Sequence, residues 1–220
     1  MKYLIHACEQ RMWYVKDFLI PSMVDQGIDI SRIRVFNDAD ALGNLKAYMA
    51  SLEMFGPEDD YWHMSDDVCI APDFAEKTEK LAGTEKVICA FACKICNNAS
   101  AGIVRPIDMW YSFPGIYIDK YLAMDFLIWL KNRAPMILPD CFWLKKGKGD
   151  DALFKNFLIY NYPVLRILNY APNLVNHIDY MLGGSIANTQ RDKSKDTTAV
   201  FWNHPEILED LERRIGYVKD

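Results

Sequence analysis

Short apolar runs alternate with helix-length amphipathic stretches through the first half of the chain, and this alternation constrains the fold more than any other feature. Residues 3–7 (YLIHA) predict a first strand, and residues 11–26 follow with helical spacing as far as a stop at Gly27. Residues 33–36 (IRVF) predict a second strand, which ends in the polar cluster Asn37-Asp38-Ala39-Asp40. Behind it Leu42, Leu45, Met49 and Leu52 step by three and four, the period of one helix face. Residues 61–64 (YWHM) predict a third strand, Pro72-Asp73 opens a helix to about Leu81, and residues 87–92 predict a fourth strand. Strands separated by helices indicate an α/β sheet, mostly parallel in this half and flanked by helices.

The second half is less regular. Residues 102–118 are rich in Pro, Gly and aromatics and read as loops around a short strand at 115–118. Leu122, Phe126 and Leu130 mark a helix up to Asn132, and a glycine- and lysine-rich loop at 145–149 leads to Asp150-Asp151 and a helix over 152–160. A strand near 164–168 precedes PNLVNHIDYMLGGSIAN and a polar stretch at 189–198. The terminal HPEILEDLERRIGYV reads as a helix with an acidic first turn and basic later residues, the polarity that the helix dipole favours. No repeat or low-complexity linker divides the 220 residues, so one α/β domain is expected, with a mixed, mostly parallel sheet.

A chain of this length buries a substantial core without cross-links. Its net charge of -5 argues against a general nucleic-acid or membrane-surface binder. Six cysteines are scattered, several inside apolar runs, and MKYLIHACEQ enters a strand directly rather than a leader segment. The run FLIWL at 126–130 is far too short to span a bilayer. A reducing, cytoplasmic setting is therefore expected. Cys93-x-x-Cys96 has no second CxxC and no HxxxH to complete a zinc tetrad, and reads as a pair of buried free thiols.

In α/β sheets ligands bind at the carboxyl ends of the strands, and Asn37-Asp38 and Asp66-Asp67 both fall there, on one rim. The second pair interrupts DYWHMSDDVCI (60–70), an otherwise apolar stretch. Adjacent carboxylates repel and lose solvation, which is tolerable only where the strand ends or where something positive sits between them. Such a pair holds Mg²⁺ or Mn²⁺ against a diphosphate, or else forms a solvated turn. His177 stands among apolar neighbours, as a hydrogen-bonded core residue or a metal ligand. Asp150-Asp151 opens a helix, as a plain N-cap or a catalytic carboxylate. Trp110, Tyr111 and Phe113 are either a stacking platform for a sugar or loop aromatics tucked onto the core.

Taken in order, these elements resemble the GT-A glycosyltransferases, which use nucleotide-sugar donors. The resemblance runs from Lys2 to about Ser185: RMWYVKDFLIPSM, VFNDADALGNLKA, YWHMSDDV with PDF behind it, GIYI, GKGDDALF and PNLVNHIDYMLGGSI. The third is similar to that fold's DXD-type metal element, here written Ser-Asp-Asp. The last is similar to a segment whose histidine completes the metal site, with Asp179 where the family commonly has Gly. The resemblance implies a GT-A (Rossmann-like) domain with a donor half at 1–100, an acceptor half at 101–188, and a lid segment and terminal helix at 189–220. It implies that Asp67, with Asp66 as second candidate, and His177 hold Mn²⁺ or Mg²⁺ against the donor diphosphate. Asn37 and Asp38 would contact the nucleoside, Arg11 and Lys46 would approach the donor, and Arg191, Lys193 and Lys195 would close over the phosphates. Asp151, or Asp150, would deprotonate the acceptor hydroxyl for an inverting attack.

Two other readings stand beside this one. A non-catalytic nucleotide-sugar-binding protein would keep the donor rim without needing Asp150-Asp151. A nucleotidyltransferase ranks lower, because the first strand leads to Ala7-Cys8-Glu9-Gln10-Arg11 without the expected glycines. The acceptor, whether a glycan, a lipid-linked sugar, a protein or a modified base, is left open, with nucleic acid disfavoured by the acidic balance.

Overall fold

The central strand β1 (Lys2–Cys8) is buried along most of its length and pairs in parallel with β2 (Ile33–Asp38) on one side and β3 (Tyr61–Ser65) on the other. The computed structural model describes residues 1–55, 58–92, 100–110, 112–137, 150–183 and 199–219. Beyond β3 the sheet continues through β7 (Gly115–Ile118), β5 (Val87–Cys89), β8 (Ile167–Asn169) and β6 (Gly102–Val104), giving the order β2-β1-β3-β7-β5-β8-β6. β7 runs antiparallel to both its neighbours and β6 runs antiparallel to β8, while the other five strands share one direction. A separate ribbon pairs β4 (Val68–Ile70) with β9 (Val175–His177), antiparallel.

Period-two alternation divides the core into two layers. From β1, Tyr3, Ile5 and Ala7 face one side and Leu4 the other. The first side is covered by the continuous helical run α1 (Met12–Tyr14), a π-helical stretch Val15–Leu19 and α2 (Ile20–Asp25), together with α4 (Phe74–Leu81) and α7 (Pro205–Lys219). The second is covered by α3 (Asn44–Phe55), α5 (Lys120–Ile137) and α6 (Asp150–Asn161), with Tyr48, Phe126, Phe154 and Phe157 at its centre. Among the described residues, no helix is long and apolar enough to cross a membrane.

The expected α/β fold, a mixed sheet flanked by helices, is therefore present, but several details differ from the sequence reading: β6 (Gly102–Val104) forms where loop was expected, and α5 runs on from Asn132 to Ile137. The run 87–92 is ordered as a strand only over Val87–Cys89. Ala90 and Ala92 stay buried and send their backbone bonds to separate partners, Gly115, Leu174 and Val200. The strand expected near 164–168 lies at Ile167–Asn169, because Val164 is 76% exposed and faces solvent. The β4–β9 ribbon was not expected at all. It packs so closely on the sheet that a Cβ at Gly115 would come within 2.3 Å of Val175 Cγ2, so only glycine fits there. That contact holds β9, and with it His177, against the sheet.

Candidate functional site

At the end of β3 the chain turns through Asp66 and Asp67 before entering β4. Parallel pairing sets His6 opposite Ser65, so the end of β1 and the turn after it lie level with the two carboxylates. Asp66 Oδ2 accepts the Cys8 backbone N–H at 2.7 Å. Arg11, in the turn that follows β1, donates from Nη1 to Asp66 Oδ1 at 3.2 Å and also to Asp67 Oδ2. Arg11, Asp66 and Asp67 are 4%, 6% and 7% exposed. Both conditions for tolerating the pair are thus met: the strand ends there, and a guanidinium lies between the carboxylates.

A second cation stands on the other side of Asp67. Register in the ribbon sets Val68 opposite His177, and the Ile178 N–H reaches Asp67 O at 2.8 Å. His177 Nε2 lies 3.0 Å from Asp67 Oδ1, and Nδ1 lies 3.3 Å from Asp179 Oδ1. Both are ion-pair approaches rather than aligned hydrogen bonds. Burial disfavours the charged ring, but the carboxylates of Asp67 and Asp179 outweigh it and push the imidazole up to about 10. Burial likewise opposes the charge on Asp67, yet His177 and Arg11 hold its carboxyl well below the usual range. Asp66 moves the other way, raised by burial and by its neighbour Asp67 against the pull of Arg11.

Three carboxyl groups here face two cationic side chains. Only after His177 gives up its ring proton would Asp67 and His177 offer an oxygen and a nitrogen to a hard divalent cation. Two ligands about 2.1 Å from an octahedral ion and at right angles lie about 3.0 Å apart, the separation of Asp67 Oδ1 and His177 Nε2. Both are buried or nearly so, and Asp67 Oδ1 has no aligned donor. Among the described residues no group of three or more His, Cys, Asp or Glu side chains is arranged around one ion. The match is therefore to a two-ligand site, of the kind that leaves its other positions to water and phosphate oxygens.

The other sequence-selected residues are distributed as follows. Asp38, at the end of β2 and level with Cys8, accepts from the backbone N–H groups of Leu42 and Gly43 at 2.9 and 3.3 Å, closing the loop before α3. Asn37 is exposed beside it and donates to Glu9. Lys46 is exposed on α3. Asp151 opens α6, its Oδ1 accepting from the Ala152 N–H at 2.7 Å, in the second layer, whereas His177 belongs to the ribbon that packs with the first. Asp150 begins the same helix. Arg191, Lys193, Lys195, the loop at 145–149, Tyr111 and the Cys93-x-x-Cys96 pair lie outside the described residues. Trp110 and Phe113 are buried, Trp110 stacked on Phe201 and Phe113 packed against Tyr48, His63 and Phe154. Their rings fill the core rather than present an open platform.

Two features of the site were not read from the sequence. Asp179 follows His177 by two residues, a spacing that in extended chain returns a side chain to the same face. That spacing was the available signal. The histidines His6 and His63, with ring centroids 6.2 Å apart, carried none. His63 Nδ1 bonds to Phe113 O at 2.8 Å, and burial pushes its ring down to about 3, so it is a neutral strut for the 113–115 turn. Compared with protein-family models and with curated proteins, the chain matches none.

Proposed function

We propose that this chain is a metal-dependent glycosyltransferase that moves a sugar from a nucleoside-diphosphate sugar to an acceptor hydroxyl, with inversion. The observation that carries the reading is the meeting of Asp67 and His177 at the carboxyl rim of three parallel strands, where α/β sheets bind their ligands. Asp67 Oδ1 and His177 Nε2 lie 3.0 Å apart, a separation that two ligands of one hard cation can take, which supports the reading. Asp67 and His177 would hold Mn²⁺ or Mg²⁺, which when bound supplies positive charge against the departing nucleoside diphosphate.

The chain's own residues do the rest. Asp66, tied to the Cys8 N–H and Arg11, keeps the turn in place so that Asp67 faces His177. Asp179 holds the ring of His177 from behind, the role that carboxylates commonly play toward ligating histidines. Asn37 and the loop shaped by Asp38 border the nucleoside, with Lys46 and Arg191 completing the donor side. Asp151, with Asp150 as second candidate, takes the acceptor's proton as the new bond forms. An ordinary carboxylate suffices for this, because the hydroxyl turns acidic only as it attacks. The halves at 1–100 and 101–188 then serve donor and acceptor.

A thermal-shift screen of nucleotide sugars with Mn²⁺ tests the reading. A donor that binds only the folded chain raises the melting temperature by mass action. At least one nucleotide sugar is expected to do so in the presence of Mn²⁺ and not in its absence. A complete set without any metal-dependent shift would contradict the proposal.

A further inference from the structure

We propose that Arg11 is a built-in competitor for the divalent cation, holding the carboxylate pair in the metal-free protein and leaving Asp67 when the ion binds. This rests on the metal reading above. One atom, Nη1, donates to both Asp66 Oδ1 and Asp67 Oδ2, in a pocket from which all three side chains are nearly excluded from water. A guanidinium so placed cancels the repulsion between the two carboxylates, which otherwise destabilises this turn. An ion held by Asp67 and His177 adds two positive charges to the carboxylate that Arg11 already grips. Like charges at such separations, in surroundings poorer in water than the surface, repel by several times the thermal energy. The guanidinium and the ion therefore cannot share Asp67 on equal terms.

Geometry also gives Arg11 somewhere to go. Asp66 stays bound to the Cys8 N–H and offers an anchor that the ion does not need. Keeping its bond to Asp66, the guanidinium would let go of Asp67 and could turn a donor toward an anionic group of the substrate. Guanidinium is suited to that second task by its planar set of donors. The same residue thus stabilises the empty site and becomes available to the donor once the ion is in place.

The test is a Mn²⁺ titration of the full chain, without donor or acceptor, followed by the loss of the free-ion electron paramagnetic resonance signal. Wild type is compared with Arg11→Met, which keeps most of the volume without the charge, and with Arg11→Lys, which keeps the charge without the two-pronged donor. Arg11→Met is expected to bind Mn²⁺ at least about tenfold more tightly than wild type, the effect of removing one unit charge at contact distance. Arg11→Lys, still charged, is expected to stay near wild type. Equal or weaker binding by Arg11→Met overturns the competition while leaving the metal site standing. If that variant does not fold, Arg11→Gln, also uncharged, decides: affinity no higher than wild type overturns the proposal. Absence of Mn²⁺ binding in every form overturns both the competition and the metal reading.

Discussion

Asp38 ends β2 and Asp67 lies in the turn just after β3, two parallel strands that flank β1, so both carboxylates stand on the same rim. Their partners separate them. Asp38 spends both oxygens on the backbone N–H groups of Leu42 and Gly43 and thereby shapes a loop. Asp67 is held by two cationic side chains, Arg11 and His177, that approach from different elements. Backbone donors are fixed in place by the fold, so a carboxylate bound to them is structural. Side-chain cations can give way to another cation, which is why Asp67 and not Asp38 is proposed as an ion ligand. Strand-end position brings a residue to the rim, and its counterpart decides what it does there.

The comparison predicts opposite behaviour for the two aspartates. Asp67→Asn should lower Mn²⁺ affinity by roughly a hundredfold or more, at or beyond the top of the range seen for residues that only support a ligand. Asp38→Ala should leave that affinity within about twofold, since its carboxylate is bonded to the Leu42 and Gly43 N–H groups. The same Mn²⁺ titration reads both, and equal losses in the two variants would erase the distinction. Stability sharpens it further. Arg11→Met removes the cation between two buried carboxylates, leaving Asp66 without an opposite charge while His177 still faces Asp67, and denaturant unfolding of the metal-free protein should show a loss of about 3–5 kcal/mol. Asp38→Ala removes two charge-assisted bonds to a loop and should cost about 1–3 kcal/mol.

A pH series separates the regions again. The imidazole of His177 is raised from 6.5 to about 10 in the folded chain. A group raised in this way contributes stability that is fully present below 6.5 and is lost as pH rises through about 10. Metal-free wild type should therefore lose stability across that window, in urea melts taken from pH 6 to pH 10. His177→Gln should flatten the slope there, and Asp38→Ala should keep it. A slope unchanged by His177→Gln would mean that the ring carries no charge in the folded protein. The smallest effect expected is at the support of the ribbon. Gly115→Ala must push Val175 aside, at a cost of about 1–3 kcal/mol, and unfolding midpoints at wild-type values would show that β9 is not held by that contact.

Local periodicity was enough to read most of the fold. β1, β2 and β3 with the helices between them follow from alternation and three-to-four spacing, signals carried within a dozen residues. The β4–β9 ribbon was beyond such reading, because it joins Val68 to His177 across about half the chain, and three-residue strands have no period to detect. The direction of β7 was hidden for a related reason: all four of its residues are buried, and a continuous apolar run looks alike in either orientation. At the site, Asp66-Asp67 could be located from the apolar strand before it, and the need for an intervening positive charge follows from electrostatics. That Arg11 supplies it depends on parallel pairing of β1 with β3, a tertiary fact. For Trp110 and Phe113 the sequence left platform and core open, and the buried rings take the core reading; a Pro- and Gly-rich segment looks like a surface loop even when its rings point inward.

The most direct measurement is release of nucleoside diphosphate from the best-binding nucleotide sugar, with Mn²⁺ and with EDTA, by wild type and Asp67→Asn. The account predicts release by wild type with Mn²⁺, loss of that activity in EDTA, and loss in Asp67→Asn at any Mn²⁺ concentration that saturates the wild type. Release that continues unchanged in EDTA or in Asp67→Asn, or no release from any nucleotide sugar, would contradict it.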